Sequence, residues 1–391
     1  MKTRKIILIL LPIGVVIASG ACRRQSQSVP QTTNSNLAVT QEKPAGGEAS
    51  VGERSYFRGT IAAGANNLKI EMTLVRDGER VSGSYFYPKV GKNIELNGTV
   101  DKDANVDLRE KDDSGKETGI FKGKWKTAVE PYELGMANIA GKWSRPDGAK
   151  ETTFELTQQP IDFSAAAARF VPKVIKEANK QSRFRIDVVY PQIEGDARFD
   201  KFNKEARAMV TKNVAAFKTS ETSNETDAGS EIPAETQTST LDSDYQIRLA
   251  DDDLISIEFT ESAYSGGAAH PNSYTTVLNY GVRNGKKLAL ADLFNAKSNY
   301  VKVISDYCIK DLKQQAKKEK DSMLTDDMIQ SGASARAENF NAWTITKQGL
   351  WITFDPYQVA AYAAGPQQVL VPYSALKDLI KADGPIAAFA Q

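Results

Sequence analysis

His270 is the single histidine in a chain of 391 residues, and that count limits the available chemistry more than any motif does. A catalytic zinc site uses two or three imidazoles and a structural one uses Cys/His sets, so a histidine-based metal centre is excluded. A Ser-His-Asp relay needs only one histidine. Ser265 stands close to it in Tyr264-Ser265-Gly266-Gly267-Ala268-Ala269-His270-Pro271-Asn272. No Gly-x-Ser-x-Gly elbow backs such a relay, because Gly332-Ala333-Ser334-Ala335-Arg336 lacks the final glycine. Two further roles are open to His270. Its ring nitrogens can fasten the Gly266-Gly267 connection beside Pro271, or the loop can present it to a ligand. A second stretch, from Tyr357 through Tyr362 to Gly365-Pro366, sets tyrosines among alanines. It can form a flat apolar platform with hydroxyl rims, suited to a sugar ring or a protein partner, or it can simply pack a core. The candidate binding residues are therefore Tyr264, Gly266, Gly267, His270, Asn272, Tyr357, Tyr362 and Gly365, with no catalytic residue, metal ligand or cofactor site assigned. Asp251-Asp252-Asp253 lacks the alternating ligands of a calcium loop and reads as a solvated turn. Among 49 acids some carboxylate pair is always available, and no spacing marks a glycosidase pair.

Cys22 carries different chemistry. Lys2, Arg4 and Lys5 precede an apolar run from Ile6 to Ala18, and Ser19-Gly20-Ala21 then leads into Cys22. A charged start, a short apolar stretch and small residues before a cut make an export signal, and the run is shorter than the roughly 20 residues a spanning helix needs. A cysteine at the first position after the cut resembles the lipobox of bacterial lipoproteins. That resemblance implies a mature chain beginning with an acylated, diacylglyceryl-cysteine, palmitate among its acyl chains, and two or more chains give a lasting anchor. An ordinary secretory signal or a membrane anchor that contains a cysteine is the alternative. The expected location is extracytoplasmic, tethered to a bacterial membrane. By the sorting pattern of Gram-negative lipoproteins, Arg23 in place of Asp implies the outer membrane if the source is Gram-negative. Cys308 is then left without a partner, so no internal disulfide is expected. Fifty Lys and Arg balance 49 Asp and Glu, and loss of residues 1–21 removes only bases. That balance gives no global attraction for nucleic acid, and none is expected as a partner.

These residues need elements to position them. Residues 22–54 are polar and poor in large apolar side chains, the composition of a flexible tether. From about 55 to 160 the pattern alternates with period two. Leu68, Ile70, Met72 and Leu74 alternate with polar residues, Arg76-Asp77-Gly78-Glu79 supplies a turn, and strands follow at Val81–Tyr87, Ile94–Val100, Val106–Glu110, Gly119–Trp125, Ile139–Trp143 and Thr153–Leu156. Short strands in succession predict an all-β antiparallel meander, closed or nearly closed into a small barrel. Gly83-Ser84-Tyr85, Gly123-Lys124-Trp125 and Gly141-Lys142-Trp143 repeat a glycine two before an aromatic ring. Those rings either fill the barrel or line a cavity for an apolar or sugar ligand.

Residues 164–391 predict a second, α+β domain with an antiparallel sheet packed by helices. Ala165–Lys180 is expected as a linking helix, and Arg183–Tyr190 as a strand. Asp196–Lys218 is expected as a helix with Phe199, Phe202, Ala206, Met209, Val210, Val214 and Phe217 on one stripe. Residues 219–243, rich in Ser, Thr, Glu and Asp, read as a disordered insertion. A hairpin Tyr245–Ala250 and Leu254–Tyr264, a strand Tyr274–Val282 and a helix from about Ser298 follow. That helix places Tyr300, Ile304, Cys308 and Leu312 on its buried stripe, so Cys308 reads as a core residue. Strands at Ala342–Thr346, Leu350–Phe354 and Gln368–Val371 lead to a helix Tyr373–Lys381.

Two segments of this domain carry a resemblance. Tyr264 to Asn272, followed by Leu288-Ala289-Leu290-Ala291-Asp292-Leu293-Phe294, is one; Phe354-Asp355-Pro356-Tyr357 through Gly365-Pro366, leading to Val371-Pro372-Tyr373, is the other. In this order they resemble the extracytoplasmic domain of RsiV-type anti-sigma factors, and they are similar to the accessory domain of peptidoglycan deacetylase C, over residues of about 183–385. In the RsiV type that domain binds lysozyme. The resemblance implies a non-catalytic binding module, with a lysozyme-type wall hydrolase (as inhibitor or sensor) or wall peptidoglycan as partner. The spanning helix and sigma-binding segment of the anti-sigma factors, and the histidine-rich catalytic domain of the deacetylase, have no counterpart in this sequence. Two other function classes stay open: a carboxylate- or Ser265/His270-dependent hydrolase of wall polymer, and a carrier of an apolar ligand in the β domain.

Overall fold

The computed structural model describes residues 52–64, 66–88, 90–127, 136–181, 183–223, 238–319 and 322–390. The signal-like segment, Cys22 and all of the expected tether up to residue 51 lie outside the described residues. No helix among those described is long and apolar enough to cross a membrane.

Eight strands form a closed antiparallel barrel in simple meander order: β1 (Glu53–Ala63), β2 (Asn66–Asp77), β3 (Arg80–Phe86), β4 (Ile94–Val100), β5 (Asn105–Lys111), β6 (Glu117–Thr127), β7 (Ala137–Ser144) and β8 (Thr152–Gln159). β1 closes on β8 with Gly59 opposite Leu156. Alternation puts Phe57, Ile70, Met72, Leu74, Leu96 and Leu108 inside with the rings of Tyr85, Phe121 and Phe154. Those rings meet edge to face, at 5.4 Å for Tyr85–Phe121 and 5.0 Å for Phe121–Phe154. Such packing fills a small barrel. Gly123 and Gly141 face each other across β6 and β7. A Cβ on either would lie within 2.3 Å of a partner-strand carbonyl, so these glycines let the curved strands approach.

The second domain carries a seven-stranded sheet: β9 (Ile161–Asp162), β10 (Arg169–Asn179), β11 (Phe184–Glu194), β12 (Ser239–Asp251), β13 (Leu254–Tyr264), β14 (Asn272–Gly281) and β15 (Lys286–Lys287). The hairpins β10–β11, β12–β13 and β13–β14 are antiparallel. β11 and β12 run parallel, because helix α1 (Asp200–Ser223) makes the crossover between them. The predicted stripe of α1 packs on one face of this sheet, with Phe202, Ala206, Val210, Val214 and Phe217 buried against Ile255, Ile257 and Phe259. The other face, with Ser256 and Glu258, meets a three-stranded antiparallel sheet of β16 (Trp343–Ile345), β17 (Gly349–Phe354) and β18 (Gln367–Pro372). Helices α2 (Tyr300–Lys318) and α3 (Asp326–Gly332) and the one-turn α4 (Tyr373–Leu376) join the small sheet in a second core. Cys308 is fully buried there, and burial followed by the charge of Asp311 pushes its thiol pKa up, the setting of a core cysteine.

Three expectations are corrected. The linking helix expected at Ala165–Lys180 is the edge strand β10. Pro172 would interrupt a helix, and Val171, Val174 and Ile175 favour a strand; an edge position also tolerates a residue without an amide hydrogen. The strand expected at Arg183–Tyr190 runs on as β11 through Pro191 to Glu194, since its pairing with β10 continues to Glu194 opposite Arg169 while its pairing with β12 ends at Val188. The helix expected at Tyr373–Lys381 lasts one turn, because Ile380 bridges Phe294 and the Lys381 amide donates to Leu293 O. In the region read as an insertion, 219–243, α1 continues to Ser223 and β12 begins at Ser239; residues 224–237 lie outside those described.

Candidate functional site

Residues 265–271 connect β13 to β14, whose mutual register ends at Ala263 opposite Asn272. Residues 355–366 connect β17 to β18, whose register ends at Phe354 opposite Gln367. Stacking of the small sheet on the large one brings these two hairpin connections together. In the first, Gly267 has φ +86°, the left-handed region open to glycine, and the Ala268 amide donates to Ser265 O at 2.9 Å. The Gly266 amide donates to Ser239 Oγ at 2.9 Å. In the second, the Gln358 side-chain amide donates to Gly332 O at 3.0 Å and Asn339 O at 2.9 Å. Gly332 ends α3 so close to this loop that a Cβ there would lie 1.9 Å from Gln358 O.

Three rings line up where the loops meet. His270 stacks on Tyr362 with centroids 4.0 Å apart and planes at 26°, and Tyr362 meets Tyr357 at 5.4 Å and 34°. The Tyr362 hydroxyl donates to Pro271 O at 2.5 Å. His270 Nδ1 lies 2.9 Å from the same carbonyl, so Nδ1 carries the hydrogen in that bond and Nε2 is left as the second ring atom for a partner. Tyr357 is 59% exposed and adopts φ +72°, a left-handed conformation that costs a residue with a Cβ about 1–3 kcal/mol.

A second tie joins the β17–β18 loop to strand β14. Asp355 hydrogen-bonds the Thr275 side chain and backbone on β14. Burial pushes the Asp355 carboxyl above its usual range, and Glu258 adds to that, while the Thr275 bonds oppose it. At the hairpin base Glu261 is buried and accepts from Asn213 Nδ2 and Thr276 Oγ1, both at 2.8 Å, and from the Tyr274 hydroxyl at 3.3 Å. Burial, then the Glu261 charge, pushes Tyr274 to about 12. These contacts fix the base of a loop whose tip is exposed.

Of the residues predicted from sequence, His270, Tyr357 and Tyr362 form the ring cluster. Gly267 shapes the first turn and Gly365, at φ +67°, ends the turn Tyr362–Ala364. Tyr264 pairs with Thr240 and Asn272 with Ala263, so both belong to the strand ends that carry the loop. Gly266 anchors to Ser239. Asp355, Glu261 and Asn213 were not singled out by sequence. For Glu261 a signal existed: it continues the side of β13 that holds Ile255, Ile257 and Phe259, where a charge needs partners. Among the described residues the His270 ring bonds only the Pro271 carbonyl, so no Ser265 or carboxylate relay is assembled. No group of three metal-ligating side chains occurs among them either.

Comparison with known proteins places the two loops in two matched segments. Residues 177–273 match the family model described as "Deacetylase PdaC", and residues 291–374 match "Protein of unknown function (DUF3298)". The chain is 31% identical over 146 residues to the peptidoglycan-N-acetylmuramic acid deacetylase PdaC of Bacillus subtilis; that stretch is 37% of this chain and 30% of the relative, so the match spans under a third of that enzyme. Among solved structures, a DUF3298 family member from Bacteroides fragilis aligns with a TM-score of 0.40 and 17% identity, covering 58% of this chain and 98% of that one. A DUF3298 family protein from Pseudomonas aeruginosa aligns with a TM-score of 0.42 and 16% identity, covering 56% of this chain and 96% of that one. Two segments of the α+β domain are thus similar to these two families, with His270 in the segment that matches Deacetylase PdaC and Tyr357 and Tyr362 in the segment that matches DUF3298.

Proposed function

We propose that the α+β domain is a non-catalytic binding module for cell-wall glycan, and that His270, Tyr362 and Tyr357 form its contact face. The chain then works outside the cytoplasm, held to a membrane by lipid on Cys22. The observation that carries this reading is the three-ring cluster, Tyr357 exposed and His270 and Tyr362 half-buried, where the two loops meet and are tied at Pro271. Sugar rings present flat C–H faces that pack on aromatic rings, and a face already ordered before binding loses little entropy on contact. The relative's printed substrate class, peptidoglycan, supports wall polymer as the partner.

Co-sedimentation with purified wall sacculi tests the reading. Binding is expected to saturate, and Tyr357→Ala is expected to weaken it about tenfold. Tyr357 is exposed, so this variant should fold like the parent. Equal binding by Tyr357→Ala and Tyr362→Ala would remove the ring face from consideration. Titration with a c-type lysozyme runs alongside: saturable lysozyme binding without sacculus binding would replace glycan by a wall hydrolase as the partner. The anchor is tested separately. Labelling of cells with tagged palmitate should mark the parent chain and not Cys22→Ser, and equal labelling of both would overturn it.

A further inference from the structure

The barrel interior is packed, but one of its ends is not. At the end formed by the β1–β2 and β7–β8 connections lies a cavity of about 510 Å³, lined by Ile61, Leu68, Tyr87, Trp143, Arg145 and Lys150, among others. Barrel mouths are favoured places for ligands. Two features of this one are unusual, one behind its lining and one at its rim.

Behind the lining residue Trp143, and not itself on the lining, Glu110 of β5 is only 5% exposed. Its Oε2 accepts from the Tyr85 hydroxyl at 2.7 Å and from Trp143 Nε1 at 3.0 Å. Tyr87 continues the chain through a hydrogen bond with Tyr85. Gly119 makes the room: a Cβ there would lie 2.5 Å from Glu110 Cδ and 2.6 Å from Trp143 Nε1. All these partners are neutral, and among the described residues no Lys, Arg or His comes within ion-pair distance of Glu110. A carboxylate placed behind two aromatic residues that line a cavity, with no cation of its own, favours a cation in that cavity.

At the rim the charge is reversed. Arg145 and Lys150 flank the opening, while Glu151, the acid beside them, is engaged by Lys142 at 2.5 Å. Neither Arg145 nor Lys150 has an ion-pair partner among the described residues. A buried negative charge behind Trp143 and a positive pair on the β7–β8 connection, with Ile61 and Leu68 on the same lining, define a polarity that the ligand must mirror.

We infer that the barrel mouth binds a zwitterion with separated charges, an amino acid or a short peptide, its ammonium against Tyr87 and Trp143 before Glu110 and its carboxylate at Arg145 and Lys150. The site is distinct from the ring stack on the other domain and stands or falls without it.

Calorimetric titration of the full chain with 6-aminohexanoate, hexylamine and hexanoate tests the polarity. 6-Aminohexanoate is expected to bind saturably, and hexanoate at least about tenfold more weakly. Glu110→Gln keeps the size of the side chain and an acceptor for Tyr85 and Trp143, and should lower 6-aminohexanoate affinity about tenfold. Arg145→Ala, a change at an exposed residue, should weaken 6-aminohexanoate and leave hexylamine unchanged. Hexanoate binding as tightly as hexylamine, Arg145→Ala weakening both amines alike, or no binding of any probe up to about 10 mM would overturn the proposal.

Discussion

Replacing Arg58 by methionine is expected to destabilise the protein by about 3–5 kcal/mol, read as a lower urea midpoint. Arg58 sits on β1 of the barrel and reaches across to β12 of the large sheet. It donates to the Tyr245 carbonyl and, at 2.6 Å, to Asp244 Oδ1. Its Nε lies 3.5 Å from Oε1 of Glu71, the residue opposite it in the β1–β2 register, and its guanidinium carbon lies 4.2 Å from the Tyr245 ring centre. Burial disfavours its charge, but Tyr245, Asp244 and Glu71 outweigh that and hold its pKa above the usual value. Burial likewise works against the Asp244 carboxylate, and Arg58 and Lys69 together hold its pKa below the ordinary range. Methionine would fill part of the space but leave Glu71, 13% exposed, without its cation. Lys69 cannot replace it: its side chain is 60% exposed, and an exposed ion pair is worth under about 1 kcal/mol. A loss below about 1 kcal/mol in Arg58→Met would show that this junction carries no stability.

That junction was invisible in the sequence, and the reason is physical. Arg58, Glu71 and Asp244 are three charges among 99 Lys, Arg, Asp and Glu, and nothing local marks them as partners. What was legible is what local pattern dictates. β4, Ile94–Val100, was readable to the residue because alternation and turn residues bound it on both sides. The α1 stripe was readable because period 3.6 and the buried face coincide. β10 was misread because the run Ala165–Ala168 favours a helix, while the pairing with β11 that overrides it is tertiary. The parallel β11–β12 pairing also escaped, since a strand's partner is set by the path of its connection and not by its own composition. The same division holds for the site. Glycine, proline and tyrosine content singled out both loops, but only the packing of one sheet on another shows His270 lying on Tyr362. Asp355, which ties the second loop to β14, is an ordinary acid before a proline until Thr275 is placed against it.

The neighbouring acid leads to the opposite expectation: Glu71→Gln should stabilise the protein at pH 7, by about 2 kcal/mol at most. Burial pushes Glu71 from the ordinary 4.5 to about 6, against the attraction of Arg58 and with the added repulsion of Asp244. A carboxyl raised in this way binds its proton more tightly in the folded chain than in the unfolded one. Its contribution is therefore fully present below about 4.5 and is lost as pH rises through about 6. At pH 7 the wild-type chain keeps a charged carboxylate in a buried place. Glutamine removes that charge, retains the shape, and still offers an oxygen to the Tyr245 hydroxyl, which lies 3.4 Å from Glu71 Oε1. The gain should shrink toward zero by about pH 4, where the parent is protonated too. Arg58 keeps Asp244 and the Tyr245 carbonyl in the variant, so the barrel stays fastened to the sheet. In the Arg58→Met background the same change should help more, because the carboxylate it removes has lost its cation, and the double-mutant cycle should show that coupling. A Glu71→Gln variant that instead loses stability relative to the parent as pH rises from 4 to 7 would mean that Arg58, and not desolvation, governs this carboxylate.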